Sequence, residues 1–207
     1  MAKLGYKVFW KKINTSHWGV PQNRERLYVV AIKKSSYKRR FTWPTAVPLC
    51  YTVEDMIVPQ LGDDSRRLPS KTSQPRARSL VKNAYLKCRD KKINPKARFV
   101  AVDVGCSYKF ATMGTAIHPC LTATRGRSFG WWWSLVGRRA SLAEFCQLQG
   151  LCMQDLPHAA TVTEGDMAHM LGNSMSLNVI ERVVGASLWS AGLVVTRPED
   201  RWCAKRT

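Results

Sequence analysis

The chain has 207 residues and a formal net charge of +19. That charge exceeds what solubility needs and predicts a polyanionic partner, with nucleic acid as the first candidate and an anionic membrane surface as the second. The seven cysteines show neither a Cys-x-x-Cys pair nor Cys/His ligand spacing, and the longest apolar run is too short to span a bilayer. These features argue against a zinc module, a disulfide framework and a membrane helix.

The first forty residues predict two strands joined by a rigid corner. Tyr6–Ile13 alternates apolar and polar residues and Leu27–Ile32 is apolar, so we expect an antiparallel pair at a sheet edge. Pro21 makes the intervening corner non-helical. Arg24 and Arg26 follow it and point to the same side, because side chains alternate in an extended chain. Such a pair suits a phosphate, a carboxylate or a base edge, and the alternative is an ordinary solvated strand edge.

The middle of the chain carries weaker signals. Thr52–Ile57 predicts one short helix with Thr52 as its N-cap. Leu61–Asn94 is polar and basic, and we expect a loop or a partly ordered insert there. Residues 66–98 contain twelve Lys and Arg against one acid, which makes this the most basic segment. Arg98–Val104 alternates in the manner of a strand.

A basic turn and a run of tryptophans come next. Pro119–Thr124 is predicted to be extended and to lead into a loop at Arg125–Arg127, where Gly126 would let the backbone approach a partner closely. The alternative is a basic surface turn without a partner. Trp131–Trp133 could stack on bases, but three adjacent indoles cannot all face one side, so we favour core packing.

Two helices are predicted near the end of the chain. Ser141 and Glu144 form a capping box, and Gly150 ends the helix that follows. The last helix is predicted to open at Gly172–Ser174. Its apolar stripe consists of Leu177, Ile180, Val184 and Leu188.

Three of these strings resemble, in the same order, sequence blocks of the cytosine-5 DNA methyltransferases. Gly19–Arg26, which reads Gly-Val-Pro-Gln-Asn-Arg-Glu-Arg, resembles the eighth block. Arg138, the capping box and Leu148-Gln149-Gly150 resemble the ninth, although Gln147 replaces its usual Arg. Gly172–Ser174 resembles the tenth, with Met170 in place of a Gln. The Pro-x-Leu-Thr string at 119–122 looks like the end of the family's target-recognition region.

The resemblance implies an α/β fold: the C-terminal portion of a Rossmann-like, S-adenosylmethionine-dependent methyltransferase plus a small mixed target-recognition lobe. Residues 1–43 would then end the catalytic lobe, and 44–136 would form the recognition region with its basic insert. Residues 137–195 would be the returning helices of the catalytic lobe, and 196–207 a basic tail.

The resemblance also implies roles for single residues. Arg26 would contact the carbonyl oxygen of a flipped cytosine, and Arg24 would support the loop or a backbone phosphate. The positions that face S-adenosyl-L-methionine would be Asn173, Ser174 and Met175. The positions that contact DNA would be Gln22, Thr124, Arg125 and Arg127.

Three family blocks are missing from these 207 residues: the glycine-rich cofactor loop, the Pro-Cys-Gln nucleophile loop and the Glu-Asn-Val block. Cys120 follows a proline, but Leu121 replaces the Gln of the nucleophile loop, so we expect Cys120 to be a small buried hydrophobe. The resemblance thus implies an enzyme that is inactive as this chain alone and is completed by an upstream segment or a second chain. The expected location is intracellular with the DNA, in the nucleus if the source is eukaryotic.

The sequence leaves two alternatives open. The chain could be a non-catalytic basic DNA-binding remnant, which its charge supports equally well. It could also belong to an RNA cytosine methyltransferase. Gln22 favours DNA, because the tRNA-modifying members of the family resemble one another in having Asn there.

Overall fold

The computed structural model describes residues 4–49, 51–107, 112–156 and 161–202. These residues form a two-stranded ribbon, a short parallel strand pair, a four-stranded antiparallel sheet and five α-helices. In the described part of the chain, every helix is too short or too polar to cross a membrane.

The ribbon confirms the predicted strand pair. Strand β1 (Tyr6–Asn14) pairs antiparallel with β3 (Glu25–Lys33). One face, which includes Tyr28 and Val30, packs on helix α5 (Leu177–Ser190). The opposite face is exposed and carries apolar residues beside the ion pair of Lys12 and Glu25: Trp10 is 71% exposed, and its register partner Val29 is 55% exposed.

Helix α5 corrects two predictions. It begins at Leu177, because Gly172 and Asn173 end the preceding helix, α4 (Glu164–Asn173), and the Ser174 N–H bonds back to the Met170 carbonyl at 2.9 Å. Its buried apolar residues are Val179, Val183 and Ala186. The predicted stripe is therefore only partly on the contact surface: Leu177 and Ile180 pack against the cores, whereas Val184 is 44% exposed.

The second sheet has the order β5 (Met113–Thr115), β4 (Val100–Asp103), β7 (Trp131–Trp133) and β8 (Arg138–Arg139). Strand alternation in β7 sends Trp131 and Trp133 into the main core with α3 (Leu142–Leu148) and α4, and sends Trp132 to the opposite face. All three indoles are at most 4% exposed, which confirms core packing over base stacking.

Helix α1 (Pro75–Asp90) shows that the prediction of a loop is wrong for residues 75–90 of Leu61–Asn94, whereas residues 61–74 contain no helix or strand, as predicted. Proline suits the first turn of a helix, where its missing N–H is not needed. The buried face has helical spacing but consists largely of small residues, so the basic side chains around it obscure the pattern. Its members are Ala77, Leu80, Val81, Ala84 and Cys88.

Two shorter segments also differ from expectation. The helix predicted at Thr52–Ile57 is a single 3₁₀ turn, Glu54–Met56, although the Asp55 carboxylate does accept bonds from the Thr52 N–H and hydroxyl. At the other end, the described part of the predicted basic tail folds back onto α5. Trp202 is 6% exposed there.

Candidate functional site

Arg24 lies at the centre of the candidate site and is almost fully buried, at 2% exposure. Its guanidinium donates to the carbonyl oxygens of Leu121 at 2.7 Å, Gly172 at 3.1 Å and Ser174 at 2.5 Å. Burial lowers the pKa of Arg24, and the neighbouring Cys120 opposes that shift. Arg24 thus joins the segment after β6 (His118–Pro119) to the turn between α4 and α5, and burial leaves it out of reach of a phosphate.

Arg26 is only half-buried and lies on the same side as Arg24. Its Nη1 donates to the Glu25 carbonyl at 2.7 Å, and its Nη2 lies 3.7 Å from the Cys120 sulfur. Nη1 of Arg24 is 3.4 Å from the same sulfur. The two arginines therefore converge as the alternation predicts. The prediction of a buried, apolar Cys120 is wrong, because this thiol is half-buried between two guanidinium groups.

Gln22 must be removed from the predicted DNA-contacting set. It is fully buried in β2 (Gln22–Asn23), which pairs parallel with β6. Its Nε2 donates to the Leu148 carbonyl at 2.5 Å, and its Oε1 accepts from the Leu121 N–H at 3.1 Å. A buried amide needs partners for both ends, and here the main chain supplies them. Gln22 therefore holds the segment after β6 against α3.

The sequence patterns do not predict a second buried hydrogen-bond network, which is centred on Gln149. Gln149 Nε2 donates to the Leu171 carbonyl at 2.9 Å, and its Oε1 accepts from the Ser176 hydroxyl at 3.0 Å. That hydroxyl also shares a 2.9 Å hydrogen bond with the hydroxyl of Thr15. The only sequence signal was the position of Gln149 in the Leu-Gln-Gly string. The network fixes the α4–α5 turn relative to α3 and the ribbon.

The three residues predicted to face the methyl donor lie on this turn. Asn173 and Met175 are exposed, Met175 by 42%, whereas the Ser174 hydroxyl donates to the Leu171 carbonyl at 2.8 Å. The Asn173 amide lies 3.3 Å from the imidazole of His169. Because Arg24 binds the Gly172 and Ser174 carbonyls, the exposed side chains project from a fixed backbone.

The predicted basic loop is instead a short helix, α2 (Ala123–Arg127), capped by the Thr122 side chain. Thr122 accepts a bond from the Arg125 N–H, and such a cap stabilises a helix start. Gly126 does permit a close approach, but to α4 and not to an external partner. A Cβ there would lie 2.0 Å from the Ala168 carbonyl oxygen.

The three predicted DNA-contacting residues of α2 differ in solvent exposure and in ion pairing. Thr124 is exposed. Arg127 has a side chain that is 63% exposed and forms an ion pair with Asp166 at 3.0 Å. Arg125 is less exposed, at 24% of its side chain, and pairs with Asp103 at 2.7 Å. Arg125 and Thr124 share a cleft of about 550 Å³ with Cys120 and Trp131.

Arg138 and Glu144, from the ninth-block resemblance, form a buried pair. The Arg138 guanidinium donates to both carboxylate oxygens of Glu144, at 2.9 and 3.0 Å, and to Asp63 at 2.7 Å. Burial lowers the pKa of Arg138, but the hydrogen bonds to the two carboxylates outweigh it and raise the pKa. Glu144 also accepts the Ser141 N–H, which completes the predicted capping box. The pair anchors α3 to the segment before α1.

The fold belongs to the methyltransferase class. It is similar to the solved structure of the methyltransferase EhMeth of Entamoeba histolytica, with a TM-score of 0.50 and 11% sequence identity. That similarity covers 90% of this chain and 55% of the EhMeth chain.

Residues 1–188 match the family model described as C-5 cytosine-specific DNA methylase. The chain therefore belongs to the C-5 cytosine-specific DNA methylase family. This confirms the family assigned from the three sequence blocks.

Two curated relatives match shorter segments. The chain is 37% identical over 54 residues to the type II methyltransferase M.Bsp6I of Bacillus sp. (strain RFL6). It is 44% identical over 59 residues to the type II methyltransferase M.AplI of Arthrospira platensis. These matches cover 26% and 28% of this chain, and 17% and 16% of the respective relatives.

Proposed function

We propose that this chain is the C-terminal part of a DNA cytosine-5 methyltransferase, which binds DNA and presents a flipped cytosine for methylation at C5 by S-adenosyl-L-methionine. The observation that carries the proposal is the position of Arg24. One buried guanidinium ties the backbone beside the recognition cleft to the turn that carries Asn173 and Met175. A target base and a methyl donor would therefore be held in fixed relation.

Arg26 is proposed to contact the cytosine itself. In this chemistry a cysteine thiolate adds to C6, C5 takes the methyl group, and loss of the C5 proton then expels the thiolate. The ring carbonyl oxygen gains negative charge during the addition. A half-exposed arginine whose Nη2 lies beside the cleft residue Cys120 would stabilise that charge, whereas it would contribute less to binding the neutral base. The cysteine and the Glu that holds the ring nitrogen would come from the completing segment.

The α4–α5 turn fits a methyl donor through two of its three predicted residues. Asn173 offers an exposed amide, and Met175 offers an exposed apolar side chain beside it. Ser174 contributes its backbone, because its hydroxyl is bonded to Leu171. S-adenosyl-L-methionine, when bound, supplies the methyl group from its sulfonium centre. Asn173 would hydrogen-bond the donor's polar edge, and Met175 would cover part of its apolar surface.

DNA binding is proposed to use the recognition region, residues 44–136, with the catalytic-lobe segments 1–43 and 137–195 behind it. The exposed surface of α1 and the residues after it carry a row of cations suited to phosphates. These are Lys82, Lys87, Arg89, Lys91, Lys92, Lys96 and Arg98. Thr124 and Arg127 of α2 would extend that surface toward the cleft.

The exposed face of the ribbon is the proposed docking site for the completing segment. It presents Trp10, Leu27 and Val29, which are 71%, 60% and 55% exposed. Within the described residues the ribbon has only two strands, so β1 and β3 each retain an unpaired edge. The chain covers 55% of the EhMeth chain, so a methyltransferase of that size has further sequence that could cover this face. Burying these side chains would stabilise the complex by about 1.5–3 kcal/mol each.

Co-expression tests the proposal. The chain is produced alone and together with the N-terminal part of a relative that carries the glycine-rich loop and the Pro-Cys-Gln motif. We expect methylated cytosine in DNA only with both parts, and dye-binding apolar surface on the chain alone. Methyl transfer by the chain alone would contradict the proposed division and would direct the search for a nucleophile to Cys120.

The ribbon face has its own test in the same assay. Trp10→Lys should abolish complementation, because it places a charge in the proposed interface. Leu4→Lys changes an exposed apolar residue just outside the ribbon strands and serves as the control. Complementation that survives Trp10→Lys would remove this face from the interface.

A further inference from the structure

Arg125 is held in one orientation by a buried carboxylate. Both oxygens of Asp103 lie close to its Nε, at 2.7 and 2.8 Å. Asp103 is 7% exposed, and its Oδ1 also accepts the Gly105 N–H at 3.0 Å. The carboxylate is therefore fixed at the end of β4, and it fixes the inner edge of the guanidinium.

Two glycines form a slot around the same side chain. A Cβ on Gly105 would lie 3.3 Å from Arg125 Cδ and 3.4 Å from its Nη1. A Cβ on Gly130 would lie 2.8 Å from Cδ. The arginine therefore passes between two stretches of bare backbone. Asp103 and the slot together restrict the rotamers of Arg125. The side chain therefore loses little further conformational entropy when a ligand binds.

Nη1 and Nη2 form the outer edge of this guanidinium. The bonds to Asp103 come from Nε, and among the described residues none accepts a hydrogen bond from Nη1 or Nη2. Arg125 lines the cleft of about 550 Å³ that also contains Cys120. Cys120 in turn contacts Arg26, so Arg125 faces the space beside the proposed target base.

We propose that Arg125 reads a guanine close to the target cytosine, with Asp103 as its positioning residue. The inference rests on the proposed function. Guanine presents two adjacent acceptors in the major groove, O6 and N7, which match the two parallel N–H groups of an arginine edge. Adenine and cytosine place a donor at that edge, and thymine places a methyl group beside its single acceptor. A phosphate also accepts an arginine fork, so the experiment must separate the two ligands.

A base analogue in the DNA distinguishes a guanine contact from a phosphate contact. Duplexes in which guanines flank each cytosine are compared with the same duplexes carrying 7-deazaguanine, which lacks the N7 acceptor. Affinity is measured by fluorescence anisotropy at one salt concentration. We expect wild type to bind the 7-deaza duplex about tenfold more weakly, as for loss of a bidentate base contact. Arg125→Gln should bind both duplexes equally.

Arg127→Gln is the matched control, because it removes the same charge from the same helix at an exposed position. It should weaken binding to both duplexes and keep the tenfold ratio. Asp103→Asn should reduce the ratio with a circular dichroism spectrum like that of wild type, as expected for a positioning residue.

Two results would overturn the inference while the chain still binds DNA. One is a wild-type ratio near one. The other is a ratio preserved in Arg125→Gln with affinity lowered for both duplexes, which would assign Arg125 to a phosphate. Failure to bind either duplex would instead contradict the proposed function, and the inference with it.

Discussion

The junction around Arg24 and the cleft beside Arg26 are adjacent regions built from the same kinds of polar residue. The two regions differ in how far those residues are buried and in what they bind. In the junction, Gln22, Arg24 and Gln149 are buried and bind main-chain carbonyl oxygens of other segments. Beside the junction, Arg125 lines the cleft and Arg26 contacts the cleft residue Cys120, and both arginines keep part of their side chain exposed. The polar residues of these regions therefore divide into those that hold the fold and those that we propose meet a ligand.

Loss of Arg24 should have the largest effect on folding. Arg24→Ala leaves three carbonyl oxygens without their donor at the joint of two segments. Unsatisfied buried groups of this kind destabilise by about 1–3 kcal/mol each, so we expect a loss of about 3–5 kcal/mol. Urea unfolding measures the change. Arg24→Lys, which keeps the charge but not the fork, should recover part of it, and a loss below about 1 kcal/mol for Arg24→Ala would show that Arg24 does not hold the junction.

Salt should strongly affect DNA affinity at the proposed DNA-binding surface. If six cations of the 66–98 segment contact phosphate, affinity for DNA should fall about a thousandfold between about 50 and 200 mM salt. That corresponds to about 4 kcal/mol. A titration followed by anisotropy measures it, with unfolding at the same salt concentrations as the control for the fold. An affinity that hardly changes would show that binding is not electrostatic.

Acid should destabilise the core beneath the cleft. Burial lowers the pKa of His118 to about 4, against the opposing effect of its hydrogen bond to the Pro119 carbonyl, while an unfolded histidine titrates near 6.5. Between these values the unfolded chain binds more protons, so the free energy of unfolding should rise with pH. The difference across the window is about 3 kcal/mol.

Unfolding of wild type and His118→Gln between pH 4 and 7 isolates this contribution. The substitution should flatten the pH dependence of the free energy of unfolding. Identical slopes in wild type and His118→Gln would show that His118 does not titrate in this window.

The sequence predicts those parts of the fold in which local pattern and tertiary contact agree. Alternation gives β1 and β3, and the capping box at Ser141 gives the start of α3, because these signals depend on neighbours in the chain. Helix α1 was missed because its buried face is made largely of small residues. The sequence does not predict the contact face of α5 correctly. That face is determined by packing against the ribbon, which is distant in the sequence.

The candidate site could be predicted in outline but not in the role of each residue. The convergence of Arg24 and Arg26 follows from strand alternation, and the structure shows it at the Cys120 sulfur. The burial of Gln22 could not be predicted, because its partners come from Leu121 and Leu148, about a hundred or more residues away in the chain. Only the tertiary structure shows which side-chain donors are hydrogen-bonded within the protein and are therefore not available to a ligand.

Arg26→Ala in the complemented enzyme tests the central claim most directly, because it changes the half-buried arginine of the pair, and the other arginine, Arg24, holds the junction. Methyl transfer should fall about 10²–10³-fold, as when one donor to a developing negative charge is lost. DNA affinity should change far less, and the free energy of unfolding should stay within about 0.5 kcal/mol of wild type. Equal losses in methyl transfer and DNA binding, or a loss of stability like that of Arg24→Ala, would contradict the division between the two arginines.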